Sequence, residues 1–307
     1  MKNVTESRKE YGTGKNRSRA VGIICIMLAA LGFSLMTFFV RISGDLPTMQ
    51  KAFFRNAVAA VVATVTLIRG GCNFRIKKGN HKDIFFRCLF GTTGLIANFY
   101  AIDRLGIADA NMLNKLSPFF AILLSVPILK EKPTKRDVIA TMIAFSGALF
   151  IIRPSGLNME YVPALIGLYG GFGAGTAYVF VRKLGKQGER TPIIVLCFSL
   201  FSCLLTFPFL IFQYKPMSAR QLTCLVLAGV FASLGQFSIT TAYKFAPAKE
   251  LSVFDYMQVI FAAIWGICFL GEFPEPLSIV GYVIIIGTAL VRWRRGMVNR
   301  DDDPPRD

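Results

Sequence analysis

Ten apolar segments run through this chain of 307 residues, and its basic residues fall almost entirely in alternate connections between them. A helix of about 20 apolar residues crosses the hydrocarbon core of a bilayer. Only helices and closed barrels satisfy every backbone hydrogen bond there. The segments, near residues 20–40, 48–68, 84–102, 108–129, 138–152, 161–181, 193–212, 221–243, 248–270 and 277–291, are too long for barrel strands. The sequence therefore predicts an all-α membrane protein with ten transmembrane helices. The fifth and tenth are the shortest, about 22 Å at 1.5 Å per residue, and are expected to draw on polar flanks or local bilayer thinning.

Charge placement gives the orientation. With the N-terminus inside, 27 lysines and arginines fall on the inner side, in the tail 1–19, in the even-to-odd connections and in the tail 292–307. Six fall outside (Arg41, Lys51, Arg104, Arg153, Lys215 and Arg220), and Arg55 and Lys115 lie within spans. Positive charge accumulates on the cytoplasmic side, so both termini are expected in the cytoplasm and the chain in a plasma (inner) membrane. The formal net charge of +17 is then a topological signal. No basic stretch alternates with exposed aromatics and no nucleic-acid motif appears, so no nucleic-acid partner is expected. Residues 1–19 carry no apolar run of the signal-peptide kind, and no cleavage is expected. The seven cysteines are scattered without a CxxC, and His81 is the only histidine. Neither a metal site, a disulfide framework nor a cofactor is expected.

The two halves repeat. Leu129-Lys-Glu-Lys-Pro133 matches Leu270-Gly-Glu-Phe-Pro274, and each follows a long apolar span and precedes a short one with a late Gly147-Ala148 or Gly287-Thr288-Ala289. Upstream, Arg104-Leu-Gly-Ile-Ala108 matches Lys244-Phe-Ala-Pro-Ala248. The offset is 140 residues at the upstream match and 141 at the downstream one, so one residue has been inserted between them. Five spans per repeat is an odd number, so the second copy enters from the opposite face. The expected architecture is two inverted five-helix repeats, over 20–152 and 161–291.

These motifs, with Ser117-Pro118 in the fourth span and Phe254-Asp255-Tyr256 in the ninth, resemble those of the drug/metabolite transporter superfamily in its EamA-type ten-helix branch. The resemblance covers about residues 20–292. It implies a central cavity between the repeats, alternating access and transport of small organic solutes, with a small-molecule substrate and membrane lipid as partners. Lys115 departs from the commoner pattern of that family. Proton or ion coupling and a homodimer stay open.

An ionisable residue inside a span costs about 2.5–3.5 kcal/mol on insertion scales and is a functional candidate by default. Lys115 lies about 10 Å from the outer face by helical rise. It sits in the polar stretch Asn111-Met-Leu-Asn114-Lys115-Leu-Ser117-Pro118. Pro118 frees a carbonyl near residue 114, which suggests a ligand-facing wall with Lys115 binding an anionic group; the alternative is a lysine snorkelling outward. Asp255 holds the repeat-equivalent position about 10 Å from the inner face, so the two charges need not pair. Asp255 either couples to substrate or proton or makes a fixed interhelical hydrogen bond. Arg55 either attracts an anionic group in a cavity or snorkels. Asn98, Tyr100, Asn114, Ser117, Gln236, Tyr256, Gln258 and Trp265 are polar tips suited to a largely apolar pocket or to interhelical hydrogen bonding. Gly167, Gly171 and Gly175 leave a groove on one face of the sixth span for a neighbouring helix. Glu131 and Glu272 are placed to organise the connections to the fifth and tenth helices through the helix dipole.

No Walker A motif, metal-ligand cluster or nucleophile elbow is present. The function expected is secondary active transport of a small polar, amino acid-like zwitterionic or anionic metabolite, rather than enzymatic. A membrane-embedded enzyme or a channel is the competing reading.

Overall fold

The structure is a computed structural model. It describes the backbone of residues 2–71, 73–130, 135–152, 161–245, 251 and 254–301, with side chains for most positions from 21 to 294. Glu131, Arg153, Lys249 and Arg306, all used in the charge and repeat reading, lie outside the described residues. The described residues form helices and their connections: α1 (Lys2–Ile42), α2 (Thr48–Arg69), α3 (His81–Arg104), α4 (Ile107–Asn114), α5 (Ser117–Leu129), α6 (Lys135–Ile152), α7 (Tyr161–Lys186), α8 (Thr191–Gln213), α9 (Ala219–Phe245), α10 (Met257–Trp265), a π-helical turn (Gly266–Leu270) and α11 (Pro276–Asp301).

Seven helical stretches among the described residues are long and apolar enough to cross a membrane, counting Ile107–Leu129 as one. Three shorter apolar helices, Val138–Gly147, Met257–Leu270 and Pro276–Val291, fall in the fifth, ninth and tenth expected spans. Exposed Leu, Ile, Val and Phe side chains stud the outer surfaces, as with Leu204 at 74% and Phe212 at 84% exposure. In water such a surface would drive aggregation; against lipid tails it costs nothing. Helix α1 starts at Lys2, well before the expected first span.

Packing pairs exchange when the first five spans are swapped with the last five. α1 lies along α9 as α7 lies along α3, while α2 faces α8 and α6 faces α11. Both long contacts are made through glycine. A β-carbon on Gly32 would sit 2.9 Å from the Gly235 nitrogen, and one on Gly173 would sit 2.8 Å from the Gly94 α-carbon. Only a missing side chain lets two backbones come that near.

The fourth span is broken, and so is the ninth. Pro118 lacks an N–H and its ring clashes with the carbonyl four residues back, so α4 ends at Asn114 and α5 restarts at Ser117 with the proline in its first turn. Tyr256 interrupts the helix of the ninth span just after Asp255. The two interruptions occur at positions 140 residues apart, Leu116 and Tyr256. Downstream, the repeat offset grows to 141, and there the second copy winds its π turn, Gly266–Leu270, where α5 is regular. A π turn bonds i to i+5 and takes up one more residue than an α turn. Both copies then stop on a left-handed residue, Lys130 (φ 56°) and Gly271 (φ 66°).

Candidate functional site

A cavity of about 60 Å³ lies between the halves, room for a few water molecules. α3 supplies Arg87, Gly91, Gly94, Leu95 and Asn98, spaced along one helix face. Arg55 of α2, Asn114 at the end of α4, Tyr178 of α7, Phe198 of α8, Gln236 of α9 and Gln258 of α10 close it, with Phe33 and Met36 of α1. None of the lining side chains is acidic.

Two arginines dominate this space. Arg55 is 0% exposed and Arg87 2%. Their guanidinium carbons lie 5.7 Å and 4.3 Å from the centre of the Phe198 ring, within the range of cation–π attraction. Arg55 Nη1 donates to Asn56 Oδ1, and Arg87 Nη2 donates to Gln236 Oε1 at 3.1 Å. Arg55 Nε and Nη2, Arg87 Nε and the Asn98 carbonyl Oδ1 have no hydrogen-bond partner among the described residues. An arginine keeps its proton even when buried, so these are two cations with N–H groups that no described residue accepts.

Beside the cavity lies a second polar cluster, at the helix breaks. Lys115 Nζ donates to Asp255 Oδ1 at 2.6 Å, with both side chains 2% exposed. The Tyr256 hydroxyl donates to the Lys115 carbonyl at 3.1 Å. Gln258 Nε2 donates to Asn111 Oδ1, and Asn111 Nδ2 in turn reaches the Ile107 carbonyl and Thr37 Oγ1. This corrects the expectation that Lys115 and Asp255 stand apart in depth. That estimate counted helical rise alone. The four-carbon lysine stem and the interruption of both helices at these residues bring the charges together.

Of the residues singled out from sequence, Arg55, Asn98, Asn114, Gln236 and Gln258 line the cavity. Lys115, Ser117, Asp255 and Tyr256 are buried at the breaks and do not line it. Tyr100 lies near the end of α3, its ring 5.8 Å from the Arg104 guanidinium. Trp265 donates to Ser34 Oγ at 3.2 Å and packs on Phe38 and Phe269. The expected wall of freed carbonyls does not face the cavity. A β-carbon on Gly171 would lie 2.6 Å from the Leu113 oxygen and one on Gly175 2.5 Å from the Ser117 oxygen, so the glycine groove of α7 covers the break.

Sequence reasoning missed Arg87, Phe198 and Tyr178. The signal for Arg87 was present, because it falls inside the apolar segment 84–102 although it was counted with the preceding connection. Phe198, one of 28 phenylalanines, carried none.

Ion pairs tie the helix ends. Arg41 bonds Glu272 at 2.7 Å and donates to the carbonyls of Ile102 and Asp103. The other Glu272 oxygen accepts the Ile107 N–H, the first of α4, at 2.9 Å. Glu272 thus places its carboxylate at the N-terminus of α4, where the helix dipole favours it. Lys51 pairs with Asp103 at 2.6 Å, and Lys183 pairs with Asp83 at 2.8 Å near the other end of α3.

The long apolar helices, and the lipid-like surface they expose around a buried cavity, define a multi-pass helical membrane protein. The model of the EamA-like transporter family matches twice, over residues 20–153 and 162–293, and the chain belongs to that family, within the drug/metabolite transporter superfamily. It is 30% identical over 279 residues to the pseudopaline exporter CntI of Pseudomonas aeruginosa, covering 90% of this chain and 97% of that one. It is 25% identical to human solute carrier family 35 member G1, covering 89% and 80%. A crystal structure at 16% identity shares the fold with a TM-score of 0.67, covering 89% of this chain and 97% of that one. The family and these relatives are transporters, not enzymes.

Proposed function

We propose that the protein is a secondary transporter that carries a small polar organic metabolite bearing an anionic group across the plasma membrane by alternating access. The observation that carries this reading is the pair of buried arginines with unpartnered N–H groups in a cavity between the two halves. Two inverted five-helix repeats, 20–152 and 161–291, frame it, with both termini in the cytoplasm. The exchangeable packing pairs, the twin helix breaks and the two family matches support that arrangement. Broken helices near the midplane are where inverted-repeat carriers bind their solutes.

Arg55 and Arg87 hold the anionic group bidentately. Asn98, Asn114, Gln236 and Gln258 orient the rest, and Phe33, Met36 and Phe198 provide apolar walls. Asp255, with Oδ2 unpartnered, is the group assigned to proton coupling, and its bond to Lys115 is the contact that would change on protonation. The pairing of the chain with a protein named an exporter favours outward movement.

Counterflow in proteoliposomes tests the reading. Vesicles preloaded with pooled unlabelled amino acids, organic acids, nucleosides and vitamins should accumulate one labelled anionic or zwitterionic compound in a saturable, pool-dependent way. Linear uptake that ignores the pool would indicate a channel, and a chemically altered product would indicate an enzyme.

A further inference from the structure

Four acids of the helical bundle are each paired with a base among the described residues. Asp255 holds Lys115, Asp103 holds Lys51, Glu272 holds Arg41, and Asp83 holds Lys183. Arg55 and Arg87 are left over. Both line one cavity and share one aromatic ring, and Arg87 lies close enough to bear electrostatically on Arg55. Two like charges in a poorly screened interior repel, and among the described residues no carboxylate lines the cavity or pairs with either arginine. A fold under selection for stability alone would replace them with apolar residues of similar volume.

We infer that the Arg55–Phe198–Arg87 cluster is a dianion site, built for a substrate with two negative charges: a dicarboxylate or a phosphate monoester. This rests on the transporter reading above and narrows its substrate class. A single carboxylate would satisfy one guanidinium and leave the other uncompensated. A dianion neutralises both and has acceptors for all three unpartnered arginine N–H groups. The Asn98 carbonyl, also unpartnered, accepts from a hydroxyl or amine on the same molecule, which favours a hydroxy- or amino-substituted acid over a bare one. Gly91 makes room for the Arg87 guanidinium against the Phe198 ring, because a β-carbon there would lie 2.1 Å from Arg87 Nη1.

The test uses the full-length chain purified in detergent, with melting temperature read by intrinsic fluorescence. Succinate, malate and methyl phosphate are compared with butyrate and chloride at matched ionic strength. A dianion should raise the melting temperature at concentrations at least tenfold lower than butyrate or chloride requires, malate should outdo succinate, and the better of malate and methyl phosphate identifies the source chemistry. Arg55→Met and Arg87→Met should each weaken the response at least tenfold while raising the melting temperature of the protein without added anion, a pairing that a structural arginine would not give. Arg220→Gln, on an exposed arginine, should respond like the native protein. Equal potency of butyrate and malate, or native responses in both methionine variants, would overturn the dianion site while leaving anion transport standing. Counterflow of a neutral or cationic solute, with no response to any anion, would overturn both.

Discussion

Breaking the ion pair between Lys115 and Asp255 should destabilise the protein far more than removing both charges together. The charged atoms are 2.6 Å apart, and each side chain is 2% exposed. At an effective dielectric constant of about 20, two unit charges at that separation attract by about 6 kcal/mol. Loss of hydration offsets most of this, so the pair as a whole contributes little net. Removing one partner strands the other charge, at about 3–5 kcal/mol. Lys115→Met and Asp255→Asn should therefore each cost about 3–5 kcal/mol, whereas the double variant should fall within about 2 kcal/mol of the native protein. Reversible unfolding in mixed detergent micelles, run as a double-mutant cycle, measures the coupling. Additive single effects below about 1 kcal/mol each would show that the two charges do not meet in the ground state, and the argument from the helix breaks would fail with them.

Gly173→Ala places a β-carbon 2.7 Å from the Phe90 carbonyl oxygen, a backbone atom that cannot swing away, and should cost about 1–3 kcal/mol in the same assay. Gly287→Ala meets nothing within 4 Å and should stabilise by up to about 1 kcal/mol through helix propensity. At the loop between α7 and α8, burial alone would raise the pKa of Glu189, but hydrogen bonds from Asn80 and the Lys77 and Arg190 amides outweigh it and hold the carboxyl below its ordinary value. A depressed carboxylate adds stability above its unfolded pKa of about 4.3 and loses it as the pH falls through the folded value. Native melting temperature should therefore drop in acid below about pH 4 more steeply than that of Glu189→Gln. If the arginine pair is left uncompensated when the carrier returns without an anion, exchange of labelled for unlabelled solute should outpace net efflux at least tenfold; equal rates would remove that link.

The apolar helices were legible because lipid imposes a one-dimensional code, and seven of the expected segments are long apolar helices while three are shorter ones. Hydropathy marked ten segments, and the Leu-Lys-Glu and Leu-Gly-Glu motifs marked where the copies align. The π turn at Gly266–Leu270 carried no sequence signal. What stayed hidden depends on approach between distant helices. Rise along separate axes put Lys115 and Asp255 at different depths, whereas the lysine stem and the paired interruptions bring their charged atoms to 2.6 Å. Counting basic residues by connection assigns Arg87 to the connection before α3, although it lies nearly two turns into that helix and is 2% exposed. Phe198 is recognisable as a site residue only from the two guanidiniums around it.

The central claim is that one cavity, bounded by Arg55 and Arg87, opens alternately to each side of the membrane. A single cysteine at Ala174, a cavity-lining position on α7, in a background with the seven native cysteines replaced, tests it most directly. Labelling with a membrane-impermeant maleimide, added to one side at a time, should proceed from both sides and be slowed from both by the transported anion. Labelling from one side only, or labelling that the anion leaves unchanged, would contradict the account.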